Sequence, residues 1–403
     1  KYSSGLVTVP TVGAGTVNTE FEILTGMRQH DFGVSEYPYK TVLKSKTSES
    51  ICTDLKKLGY STHAVHNNEA TFYGRNTVFS NIGFDTFCSM EYMNGLTDSP
   101  NGWSNDDVLS REIMKTLDST SGPDFTMAIT VQSHGKYDGI ALDDPTIKVT
   151  GAPEGKEQAY EYYVNEIHEV DRMIDTLIKE LSNRKEETVL VLYGDHLPSL
   201  DIQKDDLSNA NLYQTQYVVW DNMNLKKKTK NLHAYQLYAE VLDRIQIHEG
   251  MITKYHQQTK HRSKLYLTGL TTLSYDLLYG DNYAYDGENP FKQTELQMGT
   301  EPVKLTSVQK TKSGYRVVGS GFTPYCKVYY DGTLVESEWI SSECLQLQDE
   351  FELDEADKKD SGEPETEVTE PRDVPNAFVV EVQSDDGVVL SSTQAYPASQ
   401  VKK

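Results

Sequence analysis

The residue pair best suited to chemistry is Asp195–His196, in the segment YGDHLPS. It directly follows TVLVLY, a β-branched run that predicts a buried strand. Side chains at the carboxyl end of such a strand lie at the edge where parallel sheets bind ligands. A carboxylate oxygen and an imidazole nitrogen placed there could share one divalent metal ion. The alternative interpretation is an ordinary turn, with Asp195 as a helix cap and His196 on the surface.

Two further polar clusters also follow strand-like runs. His134 lies in SHGKY, after DFTMAITVQ, where a histidine could hold a phosphate or donate a proton. The segment AVHNNEATFYGRN supplies neutral donors, an aromatic wall and a guanidinium group suited to phosphate, in His66, Asn68, Tyr73 and Arg75. Each of these residues taken singly is also compatible with a structural or surface role.

Thr16 stands between a strand-like run and a helical stretch, in GAGTVNTEFEILTGM. The amino end of a helix favours an anion, which suits a nucleophile that attacks a phosphate. Threonine followed by glutamate three or four residues later is also a capping signature, and these residues alone favour the cap. A bound metal would change this preference. Zinc lowers the pKa of water from about 15.7 to about 7, and a comparable effect on a hydroxyl is worth up to about 12 kcal/mol.

The elements that must position these residues alternate along most of the chain. GLVTVP, STHAVHN, DFTMAITVQSH and TVLVLYGDH predict strands, whereas TEFEILTGM, SESICTDLKKLGY, DVLSREIMKTLDS and EQAYEYYVNEIHEVDRMIDTLIKELSNRK predict helices. This alternation predicts an α/β fold with a mostly parallel sheet flanked by helices. The polar clusters would then meet at the carboxyl edge of the sheet.

The pattern changes after the predicted catalytic domain, residues 1–298. Short alternating runs separated by KSG, GSGF and DGT indicate β-hairpins, so residues 299–403 are predicted to form a small all-β domain. Within it, residues 349–375 are acidic and short of large apolar side chains, which predicts a disordered insert. NAFVVEVQSDDGVVLSS would add one more hairpin.

Composition narrows the class of protein. The chain has 403 residues and a formal net charge of −23, which argues against a nucleic-acid partner. It contains no apolar run long enough to span a bilayer and no signal peptide. Because it starts without a methionine and passes quickly into a strand, we expect that an upstream part, with any anchor, is missing.

The four cysteines lack the spacing of a thiolate zinc site. Disulfides 52–88 and 326–344 and four free buried thiols are left as alternatives.

Taken in order, the motifs resemble those of the lipoteichoic acid synthase family, within the sulfatase and alkaline phosphatase superfamily. The resemblance runs from GAGTVNTEFEILTG through HNNEATFYGRN, SHGKY and YVNEIHEVDRMIDTLIKEL to VLYGDH, with YDLLYGDNYAY near its end. It implies an alkaline phosphatase-like fold and an enzyme on the extracellular face of the membrane of a Gram-positive bacterium. Such an enzyme, held by an amino-terminal membrane anchor, moves glycerol phosphate from phosphatidylglycerol onto a polyglycerol phosphate (lipoteichoic acid) chain.

The resemblance also implies roles for individual residues. Thr16 would be the metal-bound nucleophile that forms a glycerophospho-threonine intermediate, and Asp195 and His196 would be metal ligands. The implied metal is manganese, with magnesium or zinc as alternatives. The phosphoglycerol group would be held by His66, Asn68, Tyr73, Arg75 and His134.

Some features depart from the family pattern. Asn68 and Tyr73 stand where better-known members have aspartate and tryptophan. The family takes a further acidic metal ligand from a strand upstream of the nucleophile, which this chain does not contain, so we expect weak metal binding and low activity of the chain as given. The tail resembles the small immunoglobulin-like β-sandwich found after some members.

Alternatives on the same scaffold are a phosphoethanolamine transferase, a phosphodiesterase and a non-catalytic surface binding protein. A formylglycine-dependent sulfatase is disfavoured because the C/S-x-P-x-R motif is absent around Thr16.

Overall fold

The computed structural model describes residues 2–33, 36–348, 351–353 and 370–402. Strands and helices alternate along most of the first part, as predicted. The strands are β1 (Ser3–Thr8), β2 (Ser61–His66), β3 (Thr86–Cys88), β4 (Asp124–Ile129), β5 (Val189–Tyr193), β6 (Gln214–Asp221), β7 (Leu232–His233) and β8 (Gln297–Met298). The helices are α1 (Thr16–Thr25), α2 (Ile51–Lys56), α3 (Arg75–Asn81), α4 (Val108–Asp118), α5 (Glu157–Asn183), α6 (Ala234–Arg244), α7 (Met251–Gln258) and α8 (Tyr266–Leu278).

These strands form two four-stranded sheets. One sheet has the order β4-β2-β3-β8 and is parallel throughout. The other has the order β5-β6-β1-β7, in which β6 runs antiparallel to both of its neighbours and β1 and β7 are parallel. The predicted α/β class, with a mostly parallel arrangement and flanking helices, is confirmed.

Local sequence accounts for the helices beside the sheets. In α5, Met173, Leu177 and Leu181 recur at four-residue spacing and are buried, so the helix presents one apolar stripe to the core. Helix α2 is capped by Ser50, whose hydroxyl accepts hydrogen bonds from the backbone N–H groups of Cys52 and Thr53 in a capping box.

An open groove of about 1070 Å³ lies between β4 and β5, the edge strands of the two sheets. It is lined by residues 124–130 on one side and 188–195 on the other. The TVLVLY run forms the predicted strand, but the prediction that this strand is buried is wrong, because all five residues of β5 are only half-buried. A strand with no neighbour on one edge leaves part of its backbone and side chains uncovered.

The second part of the chain consists of β-strands. They are β9 (Lys304–Thr311), β10 (Gly314–Ser320), β11 (Cys326–Tyr330), β12 (Thr333–Val335), β13 (Ser337–Ser341), β14 (Cys344–Leu347), β15 (Ala377–Gln383), β16 (Val389–Ser392) and β17 (Tyr396–Pro397). Two antiparallel sheets, β13-β14-β10-β9 and β12-β11-β15-β16, enclose a core that includes Tyr315, Phe322 and Phe378, and β17 pairs with β15. This arrangement is consistent with the predicted sandwich.

Both flanks of the predicted insert at 349–375 are ordered parts of this domain. Leu353 is buried in the core, and Arg372, in the short turn Pro371–Asp373, pairs with Glu381. The structure therefore describes residues 351–353 and 370–375 of the predicted disordered insert, and Leu353 and Arg372 among them have partners on the sheets. The rest of the insert, 349–350 and 354–369, lies outside the described residues.

The four cysteines are free thiols; Cys52, Cys88 and Cys326 are buried and Cys344 is half-buried. Of the two alternatives, the structure therefore has free thiols. Within the described ranges, no helix combines the length and apolar character needed to cross a bilayer.

Candidate active site

Thr16 is the first residue of α1, not its cap. The cap position belongs to Gly15, whose backbone is left-handed at φ 94°, and no side chain caps this helix end. A side chain on Gly15 would place its Cβ 2.8 Å from Thr11 Oγ1, so both the turn and the close approach require glycine. The capping interpretation of Thr16 is therefore wrong, and its hydroxyl is available for other contacts.

Asp195 and His196 follow β5 and face this helix end. His196 Nδ1 lies 2.8 Å from the carbonyl oxygen of Leu197, which only accepts, so Nδ1 carries the hydrogen and Nε2 presents a lone pair in the neutral ring. Nε2 lies 3.5 Å from Thr16 Oγ1 and 3.3 Å from Asp195 Oδ2. The structure thus brings together the three residues predicted to hold the metal.

Backbone contacts hold the two sides of this cluster in register. Thr19 Oγ1, one turn along α1, donates to the carbonyl oxygen of Asp195 at 2.7 Å. The Gly13 N–H donates to the Leu197 carbonyl oxygen at 3.0 Å. The loop before α1 and the loop after β5 are therefore joined at two points, which fixes the distance between Thr16 and the Asp195–His196 pair.

The distances from His196 Nε2 to Thr16 Oγ1 and to Asp195 Oδ2 fit a shared metal ion. Two ligand atoms about 2.1 Å from one tetrahedral ion are about 3.4 Å apart, close to the separations seen here. No third His, Cys, Asp or Glu among the described residues joins Asp195 and His196 in a metal-binding cluster. The donor set therefore suits a metal but leaves at least one coordination position for a ligand from elsewhere.

His66 and His134 lie on the same rim. His66 is buried, and its Nδ1 lies 2.9 Å from the Ile129 carbonyl oxygen, so Nδ1 donates to it. Burial, together with the charge of Arg75, lowers the pKa of His66 well below its ordinary value. The ring is therefore neutral, with Nε2 as an acceptor.

His134 lies across the groove from His196, although β4 and β5 are not paired. Its Nδ1 donates to the Gly135 carbonyl oxygen at 2.8 Å, which leaves Nε2 free, and its ring centroid is 6.4 Å from that of His196. The two histidines were predicted to share a rim if their strands are neighbours. They do lie close together, but their strands are not paired, because they belong to the edges of two sheets that the groove separates.

Asn68 and Tyr73 come from the loop after β2. Asn68 Oδ1 accepts the Glu69 N–H at 2.9 Å, so its amide NH₂ group is the part available to a ligand. Tyr73 has a left-handed backbone at φ 61°, which is uncommon for an aromatic residue. Its ring stacks on Tyr37, with centroids 6.3 Å apart, and Lys40 Nζ lies 5.1 Å from each ring.

Arg75 has a different environment from the one its sequence suggests. Its guanidinium is buried and forms a bidentate pair with Glu20, with Nη2 2.5 Å from Oε1 and Nε 3.2 Å from Oε2. Nη1 also donates to the Phe72 carbonyl oxygen at 3.3 Å. Glu20 lies one turn after Thr16, so in this structure Arg75 ties the loop after β2 to the helix of the predicted nucleophile and is not an open phosphate ligand.

Sequence reasoning missed two residues that shape the rim. The indole Nε1 of Trp103 donates to the Gly135 carbonyl oxygen at 2.8 Å, and its ring meets His134 edge-on. Asp106 Oδ1 accepts from the N–H of Val131 at 2.9 Å and from Asn67 Nδ2 at 2.8 Å. Burial raises the Asp106 pKa to about 6. The segment NGWSNDD, polar and without a strong helix or strand pattern, was the available signal.

A hydroxyl at a helix amino end, opposite a strand-end Asp–His pair on an α/β sheet, brings together the residue types of an enzyme active site. The sequence profile of the sulfatase family matches residues 2–247. Because this match covers more than half of the chain, the chain belongs to the sulfatase family.

Curated relatives carry several names. A protein of Rhizobium meliloti (strain 1021) named for cyclic beta-1,2-glucan modification is 31% identical over 246 residues, which are 57% of this chain and 38% of that protein. Lipoteichoic acid synthase 2 of Bacillus subtilis (strain 168) is 24% identical over 199 residues, 48% of this chain and 30% of that protein. The matched part is thus well under half the length of either relative.

Two solved structures share the fold. Streptococcus pyogenes phosphoglycerol transferase GacH, in complex with sn-glycerol-1-phosphate, has a TM-score of 0.60 at 21% identity, over 73% of this chain and 81% of that one. Lipoteichoic acid synthase LtaP from Listeria monocytogenes has a TM-score of 0.50 at 19% identity, over 63% of this chain and 67% of that one. The predicted resemblance to the lipoteichoic acid synthase family is confirmed.

Proposed function

We propose that this chain is the catalytic part of a metal-dependent phosphoglycerol transferase that uses Thr16 as its nucleophile. The observation that carries the proposal is that His196 Nε2 lies within 3.5 Å of both Thr16 Oγ1 and Asp195 Oδ2. The donor is phosphatidylglycerol and the acceptor a polyglycerol phosphate chain, on the extracellular face of a membrane. Relatives named for lipoteichoic acid synthesis and phosphoglycerol transfer support this choice.

The transfer has two displacement steps. In the first, Thr16 Oγ1 releases its proton to solvent and forms a bond to phosphorus, the bond from phosphorus to the diacylglycerol oxygen breaks, and that oxygen takes up a proton from His134. In the second, a hydroxyl of the acceptor gives its proton to His134 and attacks the same phosphorus, the bond from phosphorus to Thr16 Oγ1 breaks, and the threonine oxygen regains a proton from solvent. His134 Nε2 is the group on this rim placed to give and then recover the proton.

A metal ion, manganese in this proposal and magnesium or zinc as alternatives, would be held by Thr16, Asp195 and His196 and would lower the pKa of the threonine hydroxyl. The protein supplies the rest of the positioning. The amino end of α1 orients unpaired N–H groups toward an anion next to Thr16.

The rim supplies contacts for the glycerol phosphate group. His66 Nε2 accepts from a glycerol hydroxyl, because its ring is neutral and Nδ1 is already engaged. The Asn68 amide donates to the group, and Tyr73 forms an aromatic side wall. Arg75 acts on the phosphate at closer range only if Glu20 releases it.

We also propose that a further β-strand, outside residues 1–403, fills the groove between β4 and β5. An apolar groove flanked by two strand edges offers backbone partners on both sides to an inserted strand. Thr16, Glu20 and Asp195 line the same groove, so an acidic residue at the end of such a strand would reach the incomplete metal site. We expect that metal binding and activity are weak until this strand is supplied.

The test is transfer from labelled phosphatidylglycerol by a protein that contains the upstream strand, measured with and without Mn²⁺. We expect Thr16→Ala to abolish transfer and trapping of the labelled enzyme, and Asp195→Asn to reduce Mn²⁺ binding in calorimetry. The matched control is Thr176→Ala, the same substitution on the exposed face of α5, and it should transfer like the wild type. Transfer that survives in Thr16→Ala contradicts the proposal.

The alternatives give different results in the same assay. Preference for phosphatidylethanolamine would indicate a phosphoethanolamine transferase, and release of free glycerol phosphate without an acceptor would indicate a phosphodiesterase. Absence of Mn²⁺ binding in the protein with its upstream strand would favour a non-catalytic surface binding protein.

A further inference from the structure

A second cavity, of about 620 Å³, lies apart from the Thr16 site. Two stretches of the chain line it, residues 229–236 and 261–267. Four of its lining side chains are Lys230, His233, His261 and Arg262, and none of its described lining residues is acidic. In a chain with 61 acidic and 38 basic residues, a cavity of this composition is unexpected.

The cavity lies between two basic segments of the chain, KKKTK at 226–230 and KHRSK at 260–264. We call these segments together the basic rim. Lys228 and Lys230 are neutralised by Glu240, and these two pairs do not offer a free charge. Arg262 and Lys264 are exposed and form no ion pair within the described part of the chain, so they are available to an external anion.

The histidines of the cavity add hydrogen-bond donors. His233 accepts the Gln236 N–H in the capping box of α6, which leaves the other ring nitrogen to carry the hydrogen. This N–H donor belongs to an exposed ring that stacks on Tyr235, with centroids 5.0 Å apart. The guanidinium of Arg262 and this imidazole N–H match a phosphate group, and the exposed ammonium of Lys264 follows two residues along the chain.

Large apolar side chains are exposed directly beside the basic rim. Leu265 is 74% exposed and Leu267 is 43% exposed, at the start of α8. Tyr275 on α8 and Tyr279, directly after its last residue, are 63% and 49% exposed. Exposed leucine and tyrosine next to lysine and arginine are typical of helices that lie in a membrane interface.

This α8 face, made of Leu265, Leu267, Tyr275 and Tyr279, is connected to the proposed active site. Tyr279 contacts Phe32 with ring centroids 6.1 Å apart and donates to Glu36 at 3.4 Å. The next residue, Tyr37, stacks on Tyr73 of the active-site rim. A membrane surface that contacts the α8 face would therefore also lie beside the active-site rim, where a lipid head group would enter.

We propose that the basic rim and the α8 face together dock on an anionic phospholipid bilayer, with a lipid phosphate in the cavity at Arg262. This inference rests on the proposed function, because there the donor of the glycerol phosphate group is a membrane lipid. The net charge of −23 does not prevent this contact, because charges more than about 8 Å away are largely screened at physiological ionic strength. Leucines that insert among the lipids add an apolar contribution that salt does not weaken.

The test is sedimentation of the purified chain with vesicles of phosphatidylcholine alone or with added phosphatidylglycerol. We expect binding only to the vesicles that contain phosphatidylglycerol. Arg262→Gln with Lys264→Gln should weaken it on the order of 30-fold, since each basic residue near an anionic surface contributes about 1 kcal/mol. Leu265→Ser should weaken it by about tenfold. The matched control, Lys312→Gln with Lys327→Gln, makes the same change in charge at exposed positions of the second domain and should bind like the wild type.

Three outcomes overturn the inference: no binding to phosphatidylglycerol vesicles, equal losses in the basic-rim and control variants, or binding of soluble polyphosphate through Arg262 and Lys264 without vesicle binding. Thr16→Ala separates this inference from the proposed function. If that variant and the wild type, both in a protein that contains the upstream strand, bind vesicles but the wild type never shows transfer, only the proposed function fails. If transfer from detergent-solubilised lipid occurs without vesicle binding, only the docking inference fails.

Discussion

The buried pair of Glu20 and Arg75 gives the most demanding test of the structure. Both side chains are 1% exposed, and two hydrogen bonds join them across 55 positions of sequence. Glu20→Ala would leave a buried guanidinium without its counter-ion, which costs about 3–5 kcal/mol in the free energy of unfolding. At about 2 °C per kcal/mol for a domain of this size, the melting temperature should fall by roughly 6–10 °C.

The assay is thermal and urea unfolding of the purified chain, compared with Asp175→Ala. Asp175 pairs with Lys179 on α5 at 2.6 Å, but both side chains are more than 60% exposed, so this variant should lose no more than about 0.5 kcal/mol. Glu20→Ala with Arg75→Met should recover part of the loss, because it also removes the unpaired charge. A Glu20→Ala cost below about 1 kcal/mol, or a double variant as unstable as the sum of the two single variants, would refute the reasoning.

Three further predictions concern stability. Burial raises the pKa of the Glu22 carboxyl from 4.5 to about 8, so ionisation of this group is harder in the folded state than in the unfolded state. The free energy of unfolding should therefore fall as pH rises from about 4.5 to 8. Glu22→Gln should raise the melting temperature at about pH 9 far more than at about pH 5. Gly26→Ala should lower the free energy of unfolding by about 2–4 kcal/mol, because the backbone has φ +69° and the new Cβ would lie 2.7 Å from Ile252 Cγ2. The control is Gly59→Ala, where φ is +84° but no atom lies within 4 Å of the new Cβ. It should show only the backbone strain, about 1 kcal/mol, in the same urea titration. Trp103→Phe keeps an aromatic ring beside His134 but loses the bond to the Gly135 carbonyl oxygen, and should cost about 1 kcal/mol by denaturation, since that oxygen still accepts from His134.

The sequence determined the elements and the positions of the polar residues at their ends. The long α5 and strands β2 and β4 were predictable because a side-chain period of 3.6 or 2 is a local property. The same local logic placed Asp195 and His196 after a strand and Thr16 near a helix start. It failed at the cap, because Gly15, which has no side chain and can adopt a left-handed backbone, takes the cap position that was expected for Thr16.

Which of these residues come into contact depends on the packing of distant segments. Thr16 and His196 are 180 positions apart, and their contact depends on how α1 packs against the loop after β5. Arg75 was expected to face a phosphate, but Glu20, on the next turn of the same helix as Thr16, takes its guanidinium. The sequence contains both charges but not their pairing, because a buried ion pair is selected by the packing of distant segments and by the cost of leaving either charge without a partner.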